Sequence, residues 1–271
     1  MAAPMKIKTS HEKIEKETKS LLQACKDVHK TIDYEDPFLK RCEENCARVL
    51  RSEGKTDTDV AQQLKDFSQA SLDLTFYEEN NLVNESFPEK DGKQRLQKLL
   101  ESLTMPEKLV EDLFQGEKQA KDVLGDEIYE CLLWRRGALL YMYCSIIQPR
   151  SKSDPNQYRQ CLEDGVDYLM RMLKVRTPIL KERQDVTTND EAVYQLLQKG
   201  IFSDTHVLAM MYAGEMCHWH WSDPAPSQSD FDARNIGRSL LSKYIELVKG
   251  PLKTMGWNCE RADQLLKDAD K

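Results

Sequence analysis

What this 271-residue chain lacks narrows its class first. No stretch approaches the roughly 18 consecutive apolar residues of a spanning helix, and the opening MAAPMKIKTS has neither an apolar leader core nor a Gly at position 2. The expected location is therefore the cytosol, without direct membrane insertion. Glycine is scarce at 11 residues and forms no phosphate-cradling loop, so no nucleotide cofactor held by backbone amides is expected. Basic residues number 39 against 46 acids, for a formal net charge of -7, whereas sequence-independent phosphate binding needs a clustered basic excess. Nucleic acid is not an expected partner. No two of the eight cysteines are spaced C-x-x-C, which favours reduced thiols in helices over a disulfide framework or a zinc site. Strand-like alternation is missing as well.

Apolar residues recur instead every three or four positions. The expected fold class is all-α: a single globular domain of about ten helices over residues 1–271, or an irregular helical array, with an internal linker at 149–156 and a loop at 222–230. No period of about 34 or 40 residues marks a named repeat. Thr9 and Glu12 form a capping-box pattern ahead of the stripe Ile14, Thr18, Leu21, Cys25, Val28 and Ile32. That narrow stripe fits either a coiled-coil arm for a partner or a first helix packed on its own domain. Asp36-Pro37 opens a second helix that Gly54 stops, and a third is expected from about Asp57 to Glu79. The run FYEENNLVNESFPEK then reads as a helix exit and loop, followed by two short helices, Lys93 to Leu103 and Pro106 to Gln115. Later helices are expected from Pro155 to Lys174, ending at Gly200, from Asp204 to Trp221, from Asp232 to Lys249 and from Cys259 to Lys267.

Two segments are apolar almost all round. The first, LGDEIYECLLWRRGALLYMYCSIIQ from Leu124, opens with Asp126, Glu127 and Glu130 where a helix dipole favours acids, and Pro149 closes it. Only Glu130, Gly137 and Gln148 share a weakly polar arc, so other helices must cover it. The second, Asp204 to Trp221, has the same character, and the two are expected to pack together. Arg135 sits amid apolar positions with no carboxylate three or four residues away, and Glu215 is the lone acid in the middle of the other helix. These two form a candidate buried ion pair, with Glu78 or Glu79 as the alternative acceptor for Arg135.

Catalytic patterns are thin. Glu215-x-x-His218 has the spacing used in di-iron carboxylate bundles, but that chemistry needs a second such pair and none exists. Cys217, His218 and His220 diverge around a helix, so zinc would need a fourth ligand and an unwound end. A Cys-His nucleophile built on Cys144 or Cys217 competes with the commoner role of helical cysteine as packing. No catalytic, cofactor-binding or metal-binding residue is assigned, and no cofactor is expected. A helical enzyme using Glu215, His218 and Cys217 stands as the alternative reading.

Four strings carry a resemblance: LDLTFYEENNLVNESFPE from Leu72, LGDEIYECLLWRRGALLYMYC from Leu124, GIFSDTHVLAMMYAGEMCHW from Gly200 and GPLKTMGWN from Gly250. They closely resemble the family of the Rab-interacting small subunit of the metazoan Mon-one/Ccz-one complex, the exchange factor for the late-endosomal GTPase Rab-seven. The resemblance spans about Leu72 to Asn258, while the residues before it and the SDPAPSQSD loop match poorly. It implies a cytosolic, non-enzymatic adaptor that associates with the exchange complex and binds the GDP form of the GTPase. It further implies support of GTPase stability and of recruitment to late endosomes or to damaged mitochondria in mitophagy. The family brings no catalytic motif. On this basis the aromatic and acidic segment Phe76 to Pro88 becomes the candidate partner-binding stretch: Phe76, Tyr77 and Phe87 as anchors, with Glu78, Glu79, Glu85 and Glu89 as an acidic rim. The competing reading is that Phe76 and Phe87 only pin the loop onto its helices.

Overall fold

The computed structural model describes residues 3–54, 56–148, 155–176, 204–223 and 230–269. Every regular element among them is a helix, as the periodicity predicts. In chain order these are α1 (Ala3–His29), α2 (Pro37–Arg51), α3 (Asp57–Asn84), α4 (Gly92–Phe114) and α5 (Ala120–Leu124), then α6 (Asp126–Ile147), α7 (Pro155–Arg176), α8 (Asp204–Ser222), α9 (Ala233–Lys249) and α10 (Glu260–Ala269). Their starts are written locally. The Asp36 carboxylate accepts from the Phe38 and Leu39 amides with Pro37 at the first helical position, and Thr56 and Asp59 form a capping box ahead of α3. Asp232 accepts the Asn235 amide at the start of α9.

Three expectations are corrected. α1 begins at Ala3, so Thr9 and Glu12 lie within it and do not start it. α3 continues five residues past the expected exit at Glu79, which makes Phe76 to Asn84 helical. The two short helices expected around Pro106 are one helix, α4, with Pro106 buried inside it. Proline there removes one amide donor, which leaves the Ser102 carbonyl without its usual partner, yet burial of Leu103, Leu109 and Val110 on both sides holds the helix together. Most of the expected 149–156 linker, the loop around Pro178, the helix ending at Gly200 and residues 224–229 of the later loop lie outside the described residues.

The helices form two compact units, Met1–Leu132 and Leu133–Lys271, with the division inside α6. In the first, α3 touches α1, α2, α4 and α5. Its core is built from Ile14, Leu39, Leu64, Phe67, Leu103, Leu109 and Leu124, all nearly inaccessible, together with Cys25, Cys42 and Cys46. α1 spends its narrow stripe on this core, through Ile14, Thr18, Leu21 and Cys25, so it is a helix of its own unit and not a free coiled-coil arm.

In the second unit α8 is the hub and touches α7, α9 and α10. The Leu133–Ile147 part of α6 also meets it, as expected of two all-round apolar helices: Tyr141 stacks on Tyr212 at 3.8 Å and on Trp219 at 5.4 Å, and Trp134 lies 5.9 Å from Tyr212. Glycines set these approaches. A Cβ on Gly137 would come 2.5 Å from Leu169, and one on Gly214 would come 2.5 Å from Leu241. Gly165 and Gly237 are met similarly by Met216 and Cys217. The polar-arc glycine of α6 is thus a seat for a leucine of α7, and its cost of about 0.5–1 kcal/mol in helix propensity is exchanged for close packing.

Candidate partner-binding surface

The stretch Phe76–Glu89 is the last two turns of α3 and the turn that ends it. Ser86 and Phe87 both adopt left-handed backbone, with φ of 55° and 49°. The Phe87 amide donates to the Leu82 carbonyl and the Ser86 amide to that of Val83, the paired bonds of a Schellman stop. That motif wants an apolar contact between its outer and inner residues, and Phe87 and Leu82 are 2% and 0% exposed. Gly92 completes the turn, because a Cβ there would fall 2.7 Å from the Phe87 carbonyl carbon. Phe87 is therefore withdrawn from the candidate partner surface. Its ring ends a helix, and the reading in which it pins the segment holds for this residue.

The remaining candidates are accessible. Phe76, Tyr77, Glu78 and Glu79 are half-buried, whereas Glu85 and Glu89 are exposed. Phe76 packs against Phe38 of α2 with ring centroids 4.3 Å apart, and the Arg41 guanidinium covers Phe38 at 4.7 Å. Arg41 in turn donates to the buried Asp73 carboxylate at 2.6 Å. Tyr77 hydrogen-bonds Tyr34, which raises the Tyr34 phenol above its ordinary range, and Tyr34 is itself 57% exposed. The result is a ring cluster of Tyr34, Phe38, Phe76 and Tyr77 fixed from below by an Arg-Asp pair. Tyr34 and Phe38 were missed by sequence reasoning, since they precede the segment by about forty residues and only the packing of α2 on α3 brings them to it. Glu85 pairs with Arg95 of α4, and that hydrogen bond holds the Glu85 carboxyl below its usual range.

Beside this cluster lies a groove of about 520 Å³. α3 forms its floor through Phe67, Ser71, Leu74, Thr75 and Glu78, and α1 and α4 form its walls. Glu78 is the one sequence-predicted residue in its lining. The Lys13–Asp112 ion pair joins the two walls near one end.

The other sequence candidates belong to the second unit. Arg135 is buried, as expected, but the partners the structure gives Glu215 are different ones. Arg261 of α10 donates to one carboxylate oxygen at 2.8 Å, and the Tyr141 hydroxyl to the other at 2.6 Å. The Arg135–Glu215 pair is corrected accordingly: helix α10 delivers a cation to the position that α6 was expected to fill. Arg136, 1% exposed, lies 4.5 Å over the Tyr168 ring of α7. Cys217 is fully buried, and burial pushes its thiol up, away from the thiolate a nucleophile needs. Burial and then Arg261 push the His218 imidazole down. With Glu215 committed to Arg261 and Tyr141, the trio does not converge on a common point. No group of three His, Cys, Asp or Glu among the described residues is arranged to hold a metal.

No solved structure matches this chain. A family model described as RAB7A-interacting MON1-CCZ1 complex subunit 1 matches residues 42–230. Curated proteins of that name are similar along most of their length. The zebrafish (Danio rerio) protein is 43% identical over 223 residues, covering 79% of this chain and 80% of the relative. The human (Homo sapiens) protein is 38% identical over 241 residues, covering 81% of each, and the mouse (Mus musculus) protein gives the same identity and coverage. With more than half of its residues inside the family model and relatives matched over four fifths of both chains, the protein belongs to the family of RAB7A-interacting MON1-CCZ1 complex subunit 1.

Proposed function

We propose that this chain is a non-enzymatic adaptor that binds the GDP form of a Rab7 GTPase together with the MON1-CCZ1 complex. It supports the stability of that GTPase and its recruitment in late-endosomal traffic and in mitophagy. The observation that carries this reading is family membership over four fifths of the chain, since the relatives are named for those two partners. The end of α3 supplies the contact: Phe76 and Tyr77 as anchors already held by Phe38 and Tyr34, with Glu78, Glu79, Glu85 and Glu89 as a rim for a basic surface. Half-buried aromatic residues supported from behind lose little side-chain freedom on binding, and an acidic rim raises the association rate more than the affinity.

The test uses purified full-length chain, purified MON1-CCZ1 and Rab7 loaded with GDP or with a GTP analogue. Capture should favour the GDP form. Replacing Glu78, Glu79, Glu85 and Glu89 together with Ala should slow association, most visibly at low salt, and leave the melting temperature nearly unchanged. The Glu85–Arg95 ion pair goes with them; it is exposed and worth at most about 1 kcal/mol. Undiminished binding by the folded quadruple variant would move the contact elsewhere, and failure of the unmodified chain to bind either partner would remove the adaptor reading.

A further inference from the structure

The groove above α3 has the form of a helix bundle with one member absent. Each of its three helices turns one continuous face to it, at the helical spacing of three and four: Glu17, Ser20, Leu21, Ala24 and Val28 on α1, Ser71, Leu74, Thr75 and Glu78 on α3, and Arg95, Lys98, Leu99, Ser102 and Met105 on α4. The direction of each helix follows from its cross-links. Gln63 meets His11 at 2.9 Å, so α1 and α3 run parallel from a common start, and Glu85–Arg95 and Lys13–Asp112 set α4 antiparallel to both. The floor competes for no hydrogen bond, because the Ser71 and Thr75 hydroxyls donate to the Phe67 and Ser71 carbonyls at 3.0 Å and 2.6 Å. Ser20, Ala24, Ser71 and Ser102 keep the walls low enough for a backbone to approach, which suits a helix better than a bulky ligand.

Charge says what kind of helix. Three carboxylates line the groove, Glu17, Glu78 and Glu101, against two cations, Arg95 and Lys98. Arg95 is already held by Glu85, and Glu101 already accepts from Gln97. Glu17 and Glu78 make no ion pair among the described residues, Arg95 being near enough to Glu78 to feel its charge but bonded to Glu85, and the two carboxylates stand at opposite ends of the groove. Residues 67 to 78 of its floor span about 16 Å, or three turns.

We propose that this groove seats an amphipathic helix of a partner, carrying a narrow aliphatic stripe and two basic residues about three turns apart that meet Glu17 and Glu78. The proposal rests on the adaptor reading only for the source of the helix, which is MON1-CCZ1 or the GTPase, and it adds a second contact that shares only Glu78 with the α3 rim. A seated helix covers Val28 and Met105, which are only half-buried, and pairs both carboxylates, the helix-in-groove mode of recognition.

The test leaves the rim segment intact. Ala24, exposed on the α1 wall, is replaced by Trp to fill the groove, Ser102→Trp does the same from α4, and Glu17→Lys is the charge variant. A photoreactive benzoylphenylalanine is placed in turn at Ser20 and Ser102, with Ser239 of α9 as the control position. Each protein is mixed with purified MON1-CCZ1 and GDP-loaded Rab7. The expected result is about tenfold weaker binding by each Trp variant at an unchanged melting temperature, and weaker binding by Glu17→Lys. Cross-links from Ser20 and Ser102, but not from Ser239, should fall on one partner segment with Lys or Arg about eleven residues apart. Unchanged binding by both Trp variants overturns the proposal while the adaptor reading stands, as do cross-links that fall on a second copy of this chain. If the unmodified chain binds neither partner, both fall.

Discussion

The hub helices of the two units, α3 and α8, carry polar groups into a core by different routes. α3 buries Ser68, Ser71 and Thr75 by turning each hydroxyl back onto a carbonyl of its own preceding turn, so these groups need nothing from neighbouring helices. Its one fully buried acid, Asp73, collects three donors: Arg41 at 2.6 Å, Gln69 at 3.2 Å and Asn45 at 3.3 Å. α8 places its polar groups in the hands of other helices. Glu215 depends on Tyr141 and Arg261, and His220 lies 2.9 Å from Glu163 of α7. The approach that makes these contacts possible is set by glycine and by stacked rings. The self-satisfied hydroxyls leave the face of α3 that carries them free of obligations to a neighbour, and Ser71 and Thr75 of that face floor the groove. A hub satisfied by its neighbours must keep their spacing.

That contrast can be broken by mutation, and the largest effect is expected where α8 is closest to another helix. Gly214→Leu drives a side chain into Leu241 and should cost about 3 kcal/mol or more, read as a large drop in melting temperature; Gly214→Ala should cost less, because overpacking is then smaller and alanine improves helix propensity. A comparable loss on Ser71→Ala, which only removes a hydroxyl satisfied within α3, would erase the difference between the hubs.

Next in size is a paired comparison of the two arginines. Removing one partner of a buried ion pair costs about 3–5 kcal/mol. The Arg41 and Arg261 side chains are 53% and 56% exposed, so both effects are discounted for solvent screening. Arg261→Ala leaves Glu215 with one donor and should lose about 2–3 kcal/mol in denaturant unfolding, whereas Arg41→Ala leaves Asp73 with two and should lose about 1–2. Equal losses would mean that the number of remaining donors does not matter.

A smaller effect is expected from Ser71→Ala. The Phe67 carbonyl keeps its helical bond and alanine is the better helix former, so stability should stay within about 0.5 kcal/mol of the unmodified chain. The smallest concerns acid. The His218 imidazole is held below its ordinary value of 6.5, first by burial and then by Arg261. The unfolded chain therefore takes up the proton before the folded one, and the contribution of His218, intact above pH 6.5, is lost as pH falls through the lower folded value. Stability measured from pH 7 to pH 5 should decline less steeply in His218→Asn than in the unmodified chain. An unchanged slope would show that the imidazole titrates alike in both states.

Much of the architecture was legible because helix signals are local. The Asp36-Pro37 start, the Asp204 start and the absence of a polar stripe on α6 and α8 each depend on residues within a few turns of one another. The ends of α3 and of the α4 segments were not legible. Asn80, Asn81 and Asn84 read as loop formers, and the stop that operates is the contact of Phe87 with Leu82, which exists only once both are buried in the unit. Pro106 reads as a break, and only packing on both sides of it keeps α4 whole.

The sequence by itself determined that the chain is helical and which helices are wrapped by others, because periodicity and composition record how much of each helix must be hidden; the family follows separately, from residue-by-residue similarity to its relatives. Tertiary structure alone decided the pairings. Glu215 finds Arg261 at a separation of 46 residues and Asp73 finds Arg41 at 32, while Ser20 and Ser102 face one groove from two different helices. A helical pattern says which face is buried and not what lies against it, and several helices could have offered Glu215 a cation at similar local cost. The choice of α10 over α6 follows from where the folded chain carries each helix, a geometry that no window of neighbouring residues contains.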